Sequence, residues 1–587
     1  MKTKIITSVF TFFILSSLIC HAQNSNSSST SALLIAQAAP VSINADKIDH
    51  DSLVSDVRQL ADMIESIHPD PYANVGGKVA FHRRLQSTLE AIPAQGMTRA
   101  DFYRLLRPFV TMIGDAHTSL AVPYDETPTR PTGLPLIFGI VGTDFYVRAV
   151  PEEQYRPLIG ALLVSVEGVP VKELLARARP MVSAENEYKI LSNVAFGGFL
   201  YYASFLSDLV PEWVEKTRVR IVLRDKDGHE TEHTIPVPSQ PPGKWISSGS
   251  RIKRPRPYPG GFTHTFLDSA RTSALLVVDD MQSYREMFEG WIASNPAEGE
   301  KAAREVYKRL HESDAPEALE AVLAGIPSAT DTFRTLVQEM RQAGTKTLLV
   351  DLRYNDGGNS EMYNFLLYFL YGRDVLLRAK LQDTEVRRYS KYDFETQSTE
   401  AFERVNRGRV VPLTTTDYDF SGDWYSRSQG NPSAIDSLKA EFQQEMDQMP
   451  TFAAEYRSGK YEAYYRPANV MVLCSPVTFS SGYTLMYYLY RAGAKIVGTP
   501  SAQAGNCFGE TTSFKLQHSQ LTGTISHKYF IFFHDDPEMG RVLRPHYPMT
   551  YDKLKFYDFD LNSEILLALD MCRGDKEIIK ELRPKEQ

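Results

Sequence analysis

Val470-Met471-Val472-Leu473-Cys474-Ser475-Pro476-Val477-Thr478-Phe479-Ser480-Ser481-Gly482 opens with strand-forming residues and ends in a turn. Leu485-Met486-Tyr487-Tyr488-Leu489-Tyr490, just behind it, reads as helix. A serine at a strand-to-helix turn can expose a nucleophile beside the unpaired N–H groups of the new helix, which point at incoming negative charge. Well before it in the chain, Leu348-Leu349-Val350-Asp351-Leu352-Arg353-Tyr354-Asn355-Asp356-Gly357-Gly358-Asn359 reads as a buried strand closed by a paired-glycine turn. Paired glycines allow a backbone N–H to approach a substrate oxyanion. Taken singly, each motif is commonplace: serines often cap helices, and glycine pairs often only make tight turns. Together they have the form of two halves of a serine hydrolase site.

The segments on either side extend this pattern. Leu275–Val278, a helical region around Thr332–Ala343, Thr347–Leu352, a helix from Glu361 to Tyr371, Val470–Leu473, a helix to Arg491 and Lys495–Val497 alternate strand with helix. That alternation predicts an α/β domain with largely parallel strands over 263–575. Residues 375–466 are polar, aromatic and charged, with helical stretches such as Ala434–Met449, and read as an insertion covering the site. Towards the N-terminus, Val54, Val57, Leu60, Ile64 and Ile67, then Phe102, Leu105, Leu106, Phe109, Met112 and Ile113, keep helical spacing, so 51–125 is expected to be a helical domain. It ends in Gly114-Asp115-Ala116-His117-Thr118-Ser119-Leu120. Leu136–Ile140, Phe145–Val150, Ala161–Val166 and Val219–Leu223, with a hairpin signal at Asp225-Lys226-Asp227-Gly228, make 130–240 a β-rich module. Residues 239–262 are rich in proline, glycine and basic residues and read as a linker.

The chain has 587 residues, 43% hydrophobic and 23% charged, which is ordinary for a multidomain globular protein. A net charge of −8 gives no electrostatic reason to expect nucleic acid. Lys2 and Lys4 precede an apolar run from Ile5 to Ile19, and Cys20-His21-Ala22 offers small residues where a signal peptidase cuts. The run is shorter than the roughly 20 residues a membrane span needs, which favours a cleaved leader over 1–22 against an anchor. Export to the periplasm or outside the cell is expected, with no integral membrane segment in the mature chain. Residues 23–50, rich in Ser, Asn and Ala, are expected to be disordered. Loss of Cys20 leaves Cys474, Cys507 and Cys572, which lack zinc-site spacing and cannot all pair. Cys474 reads as core and Cys507 as a partly shielded free thiol.

The motifs in this order resemble the C-terminal processing (tail-specific) serine peptidase family, most closely its tricorn-core and retinoid-binding-protein-like branch. The resemblance covers most of the mature chain: Asp115-Ala116-His117-Thr118, the stretch Gly160 to Val171 with Ser165-Val166-Glu167-Gly168-Val169-Pro170, Asp351 to Gly358, Thr478-Phe479-Ser480, and Ile496-Val497-Gly498-Thr499-Pro500. It implies a multidomain α+β fold: a helical N-terminal domain, a PDZ-like module and an α/β catalytic core of the ClpP/crotonase-like type. It also implies Ser480 as nucleophile, with the oxyanion held by the backbone N–H groups of Gly358 and Ser481, and with Gly357 and Asn359 beside the substrate. No cofactor or metal is required by this chemistry.

Two departures bear on the base. The bacterial processing branch places a lysine after the serine; here that neighbourhood is Gln503-Ala504-Gly505-Asn506-Cys507. The tricorn-like branch uses a histidine from the helical region, and His117 stands in its place, able to act as a base near neutral pH. That branch has Ser before its histidine, where this chain has Ala116. It also uses a late glutamate, for which Glu538 is the candidate orienting carboxylate and Glu510 and Asp115 are competitors. The expected function is a secreted serine endopeptidase acting on peptides or unfolded proteins through Ser480 and His117. The alternative is a non-catalytic protein that keeps the fold and binds peptides or apolar ligands. Activity is expected to rise with pH through about 6.5, and a carboxylate partner would raise that midpoint.

Overall fold

Along Asn469–Cys474, alternate side chains enter two different cores. Val470, Val472 and Cys474 join one apolar cluster, whereas Met471 and Leu473 join another. A strand apolar on both faces must be covered on both faces, which is the condition of a central parallel strand. The computed structural model describes residues 47–123, 132–256, 261–380, 383–388, 390, 392, 425–429 and 435–573. The expected leader, nearly all of the 23–50 segment and, within the 375–466 insertion, chiefly residues 393–424 lie outside the described residues.

The strands, in chain order, are β1 (Ser119–Leu120), β2 (Ile137–Val141), β3 (Asp144–Val150), β4 (Leu162–Val166), β5 (Val169–Pro170), β6 (Arg218–Arg224), β7 (Glu230–Pro236), β8 (Ile246–Ser247), β9 (Phe262–Phe266), β10 (Ser273–Val278), β11 (Thr347–Asp351), β12 (Thr384–Arg388), β13 (Tyr425–Gln429), β14 (Asn469–Cys474), β15 (Lys495–Gly498), β16 (Asn506–Lys515), β17 (Thr522–Ile531) and β18 (Tyr547–Pro548). Six of them form the central sheet in the order β18-β15-β14-β11-β10-β9. Every pairing in it is parallel except that of β9 with β10.

The helices used below are α1 (His50–Ile67), α2 (Lys78–Glu90), α3 (Arg99–Thr111), α4 (Val171–Ala178), α5 (Glu187–Ala195), α6 (Ala203–Leu209), α7 (Ala329–Ala343), α8 (Met362–Tyr371), α9 (Ser481–Arg491) and α10 (Ser563–Arg573). On one face of the central sheet, Leu276, Val350 and Val472 pack with Phe333 and Leu336 of α7, Phe365 of α8 and Leu485 of α9. On the other, Leu275, Leu349 and Leu473 pack with Ile565, Leu566 and Leu569 of α10. This is the layered α/β arrangement the alternation predicts.

Residues 137–247 contribute a seven-stranded sheet, β2-β3-β4-β6-β7 with β5 on β4 and β8 on β3. Strand β8 comes from the stretch read as a linker: Ile246 and Ser247 pair with Val150 and Ala149. Helices α4, α5 and α6 pack on this sheet through Leu174, Ile190, Leu191 and Leu206.

A third sheet settles the geometry of the site. Strands β16 and β17 form a long antiparallel ribbon. The far edge of β17 takes β1, with Ser119 opposite Thr524, and β12, with Val386 opposite Tyr529. Phe514, Leu516, Leu521 and Ile525 of the ribbon are buried against Leu53, Val57 and Leu60 of α1 and Phe102 of α3. The ribbon tip is also pinned by Asp56 of α1, which accepts from the N–H groups of His518 and Ser519 at 2.9 and 2.6 Å. The N-terminal helices are thereby joined to the core, and the segment leading into β1 follows them.

Candidate active site

Ser480 lies at the corner between β14 and α9. Its backbone has φ 52° and ψ −126°, a conformation that costs a non-glycine residue of order 1–3 kcal/mol and persists only when neighbours over-determine it. Those neighbours are specific. Thr478 Oγ1 donates to the Leu352 carbonyl at 2.8 Å, and the Phe479 N–H donates to the Asn355 carbonyl at 3.0 Å. The Ser480 N–H donates to Gln503 Oε1 at 2.6 Å. The turn after β14 is thus bolted to the turn after β11.

Gly357 and Gly358 have φ of +116° and +135°, values that favour glycine. A Cβ on Gly357 would stand 2.6 Å from Ser480 Cβ, so the residue also permits the close approach of the two turns. Asn355, fully buried, steers the turn: its Nδ2 donates to the Val278 carbonyl at 3.0 Å, and its Oδ1 accepts the Gly357 N–H at 2.9 Å. Below it, Asp351 accepts from Arg353 at 2.9 Å and from Arg254 at 2.7 Å, fixing the strand end.

Four backbone N–H groups surround the corner. Those of Gly357 and Ser480 are taken by Asn355 and Gln503. Among the described residues no hydrogen bond takes those of Gly358 and Ser481, and Gly358 is exposed. The Ser481 hydroxyl donates to the Gly358 carbonyl at 2.6 Å and holds the two residues together. Asn359 is structurally committed. Its Oδ1 accepts from Tyr284 at 2.5 Å and from the Glu361 N–H at 2.9 Å, and its own N–H donates to the Met281 carbonyl at 2.8 Å.

His117 arrives from the N-terminal region. Its ring stacks on Phe479, the residue before Ser480, with centroids 4.6 Å apart and planes at 25°. Thr524 Oγ1 of the ribbon donates to its carbonyl at 2.8 Å, and its own N–H donates to Asp115 Oδ1 at 2.8 Å. The ribbon and Asp115 fix the His117 backbone, and the Phe479 ring orients its imidazole. Its Nδ1 is enclosed, with no hydrogen-bond partner among the described residues. Burial pushes the His117 pKa down to about 4; the Asp115 charge and the Phe508 backbone oppose this, and Lys189 adds to it. This departs from the expected midpoint near 6.5, because burial outweighs the neighbouring carboxylate.

Asp115 is fully buried. Burial disfavours its charge, but His68, His117 and Ser526 outweigh that and hold the carboxyl at about 2. His68 Nε2 lies 3.3 Å from its Oδ2. Glu538 is elsewhere: its side chain is 82% exposed on a surface helix and pairs with Arg544 at 3.3 Å. The structure does not bring it to His117. Glu510 pairs with Lys528 at 2.8 Å on the ribbon and is likewise committed.

The β-rich region contributes two residues to this site that no sequence motif marks. Glu185 accepts the Phe508 N–H at 2.9 Å and the Ala504 N–H at 3.4 Å. Burial, with the Asp115 charge adding to it, pushes its carboxyl well above the usual range. Lys189 of α5 sets its Nζ 3.7 Å from the centroid of the Phe479 ring. Glu185 and Lys189 carry no periodic signal, since they act across space. Asp115, His117 and Glu185 offer ligand-type atoms within 4.8 Å of one another. The two backbone donors on Glu185 and the neighbouring lysine argue against a resident cation there. A second such group, Asp225, Asp227 and His229, is a hairpin turn in which Asp225 Oδ1 accepts the N–H groups of the other two at 2.9 Å. Cys474, Cys507 and Cys572 are free thiols, the first two buried.

Residues 319–531 match the model of peptidase family S41. No curated protein matches the chain. Among solved structures, mature CPAF superposes with a TM-score of 0.50 at 12% identity, over 90% of this chain and 98% of that one. The photosystem II D1 C-terminal processing protease gives 0.37 at 13% identity, over 86% and 95% of the two chains. A putative S41 protease from Bacteroides fragilis gives 0.29 at 13%, over 80% and 86%. At these identities the likeness to CPAF bears on the fold.

Proposed function

We propose, from the premise that this chain belongs to the C-terminal processing peptidase family S41 and is a serine-type peptidase, that it hydrolyses peptide bonds through Ser480 and His117. The observation that carries the reading is the stacking of His117 on Phe479, which brings an imidazole from the N-terminal region to the residue beside the strained serine. In this mechanism Ser480 Oγ attacks the scissile carbonyl while His117 takes its proton. The oxyanion is held by the N–H groups of Gly358 and Ser481, the pair left without a partner among the described residues. Loss of one such donor typically costs about 10²–10³ in rate. His117 then returns the proton to the leaving amine, and water releases the acyl group from Ser480.

The substrate is a peptide or an unfolded protein. The β-rich region 137–247 is proposed to act as a PDZ-like module, adding the peptide as a strand to its sheet. The basic start and the apolar Ile5–Ile19 run support export outside the cytoplasm, with the leader removed after Ala22. The test is digestion of fluorescently labelled casein. The wild type is expected to cleave it and Ser480→Ala to leave it intact; equal cleavage by the two would overturn the assignment.

A further inference from the structure

The start of α5 is fastened to the catalytic core by an unusual concentration of polar contacts. Asn186 caps the helix through the N–H groups of Tyr188 and Lys189 at 3.0 and 3.3 Å. Its Nδ2 reaches the carbonyls of Ser501 and Arg541 at 3.3 and 3.4 Å. Glu185 accepts the N–H groups of Ala504 and Phe508, and Glu187 pairs with Arg541 at 3.1 Å. This fastening aims one cation at the residue preceding Ser480: Lys189 Nζ stands 3.7 Å from the Phe479 ring centroid, on the ring that stacks with His117.

We infer that Lys189 is a positioning residue for hydrolysis, whose ammonium holds Phe479 and the Asp356-Gly357-Gly358 turn in register with Ser480 and His117. The inference rests on the Ser480–His117 reading above. An apolar side chain would cover Phe479 equally well, and placing an ammonium away from water is costly unless it is compensated. Three carboxylates compensate it in part: Asp356 from the turn after β11, Glu185 from the loop before α5, and Asp115 from the segment before β1. Burial nonetheless outweighs them and takes the Lys189 pKa down to about 8. A desolvated lysine with specific charge partners beside a nucleophile marks a functional position. Its charge also bears on His117, which faces Asp115, Glu185, the Phe508 backbone and Lys189, while His68 and Ser526 stand behind Asp115. An ammonium there disfavours a second positive charge on the ring and keeps the imidazole in the basic form.

The test is the pH dependence of kcat and KM for casein cleavage by wild type, Lys189→Met and Lys189→Arg. Lys189→Met should lose about tenfold or more in kcat with little change in KM, because a small misplacement near the chemistry costs this much. Its acidic limb should move up by about one pH unit, since a like charge has left the surroundings of His117. Wild type should decline above about pH 8 as the ammonium titrates. Lys189→Arg, whose guanidinium stays charged and stacks on aromatic rings, should keep both its rate and its acidic limb and lose that decline. A folded Lys189→Met with the wild-type kcat and acidic limb would overturn the inference. Where Lys189→Met fails to fold, wild type against Lys189→Arg decides, and identical alkaline limbs overturn it. Ser480→Ala and His117→Ala serve as controls. If both are inactive while Lys189→Met is normal, only this inference fails; if either cleaves at the wild-type rate, the Ser–His reading fails with it.

Discussion

The imidazole of His117 lies against the ring of Phe479, with centroids 4.6 Å apart, although the two residues come from opposite ends of the chain. The contact depends on strand pairing. Ser119 of β1 stands opposite Thr524 of β17, so the ribbon carries the N-terminal segment to the core edge where β14 gives way to α9.

The backbone of Ser480 predicts an unusual stability result. With φ at 52° and ψ at −126°, the residue sits where glycine is unstrained. Ser480→Gly is therefore expected to abolish cleavage while leaving the protein as stable as wild type or more stable by about 1 kcal/mol. Chemical denaturation checks this. A clear loss of stability would mean that the serine side chain supports the fold and that the strain is offset locally.

Gly357→Ala is the converse case. The added Cβ would meet Ser480 Cβ at 2.6 Å from a residue with φ +116°. A loss of about 1–3 kcal/mol in stability is expected, together with a fall in kcat as the two turns are forced apart. An alanine variant that unfolds at the same denaturant concentration and cleaves normally would show that the turns have slack.

The pH behaviour follows from the burial of His117. In the proposed mechanism neutral imidazole is the active form, so cleavage should already be rising at about pH 4 and be near its plateau by pH 6. The sign for stability is the same. Between the ordinary histidine value of about 6.5 and the folded value, the unfolded chain binds a proton that the folded chain does not. Folding should therefore weaken as pH falls across that window. His117→Asn should show a flatter stability slope between pH 6.5 and 4 than wild type. Parallel slopes would place the ring in water.

Two carboxylates are predicted to behave oppositely. Asp115 is buried and its Oδ1 accepts the His117 backbone N–H, so Asp115→Ala should cost activity by roughly tenfold or more through a misplaced His117. Glu538 is exposed and pairs with Arg544, and Glu538→Gln should leave kcat/KM within about twofold of wild type, as surface pairs contribute little. A reversed ranking in steady-state kinetics would restore Glu538 to the site.

The central strands could be read from sequence because Val470–Leu473 and Leu348–Val350 are apolar without interruption, the pattern of strands covered on both faces. The corner at Ser480 and the glycine turn were visible for the same reason, since each directly follows such a run. The ribbon was not visible. Asn506–Lys515 and Thr522–Ile531 are rich in Thr, Ser, Lys and His, so no apolar alternation marked them. Without the ribbon, no local pattern shows how His117 reaches the core. Glu185, Lys189 and His68 were missed because they lie on separate elements whose local pattern is ordinary. Glu538 fits the pattern only by its place in the chain, which says nothing about the side chain's exposure.

The central claim, that Ser480 is a nucleophile activated by His117, is tested most directly by reaction with a serine-directed fluorophosphonate and mass-spectrometric mapping of the adduct. The account predicts a single adduct on Ser480 in the wild type, no adduct in Ser480→Ala, and labelling of His117→Ala slowed by about 10² or more. An adduct on another residue, or equally fast labelling of Ser480 without His117, would contradict it.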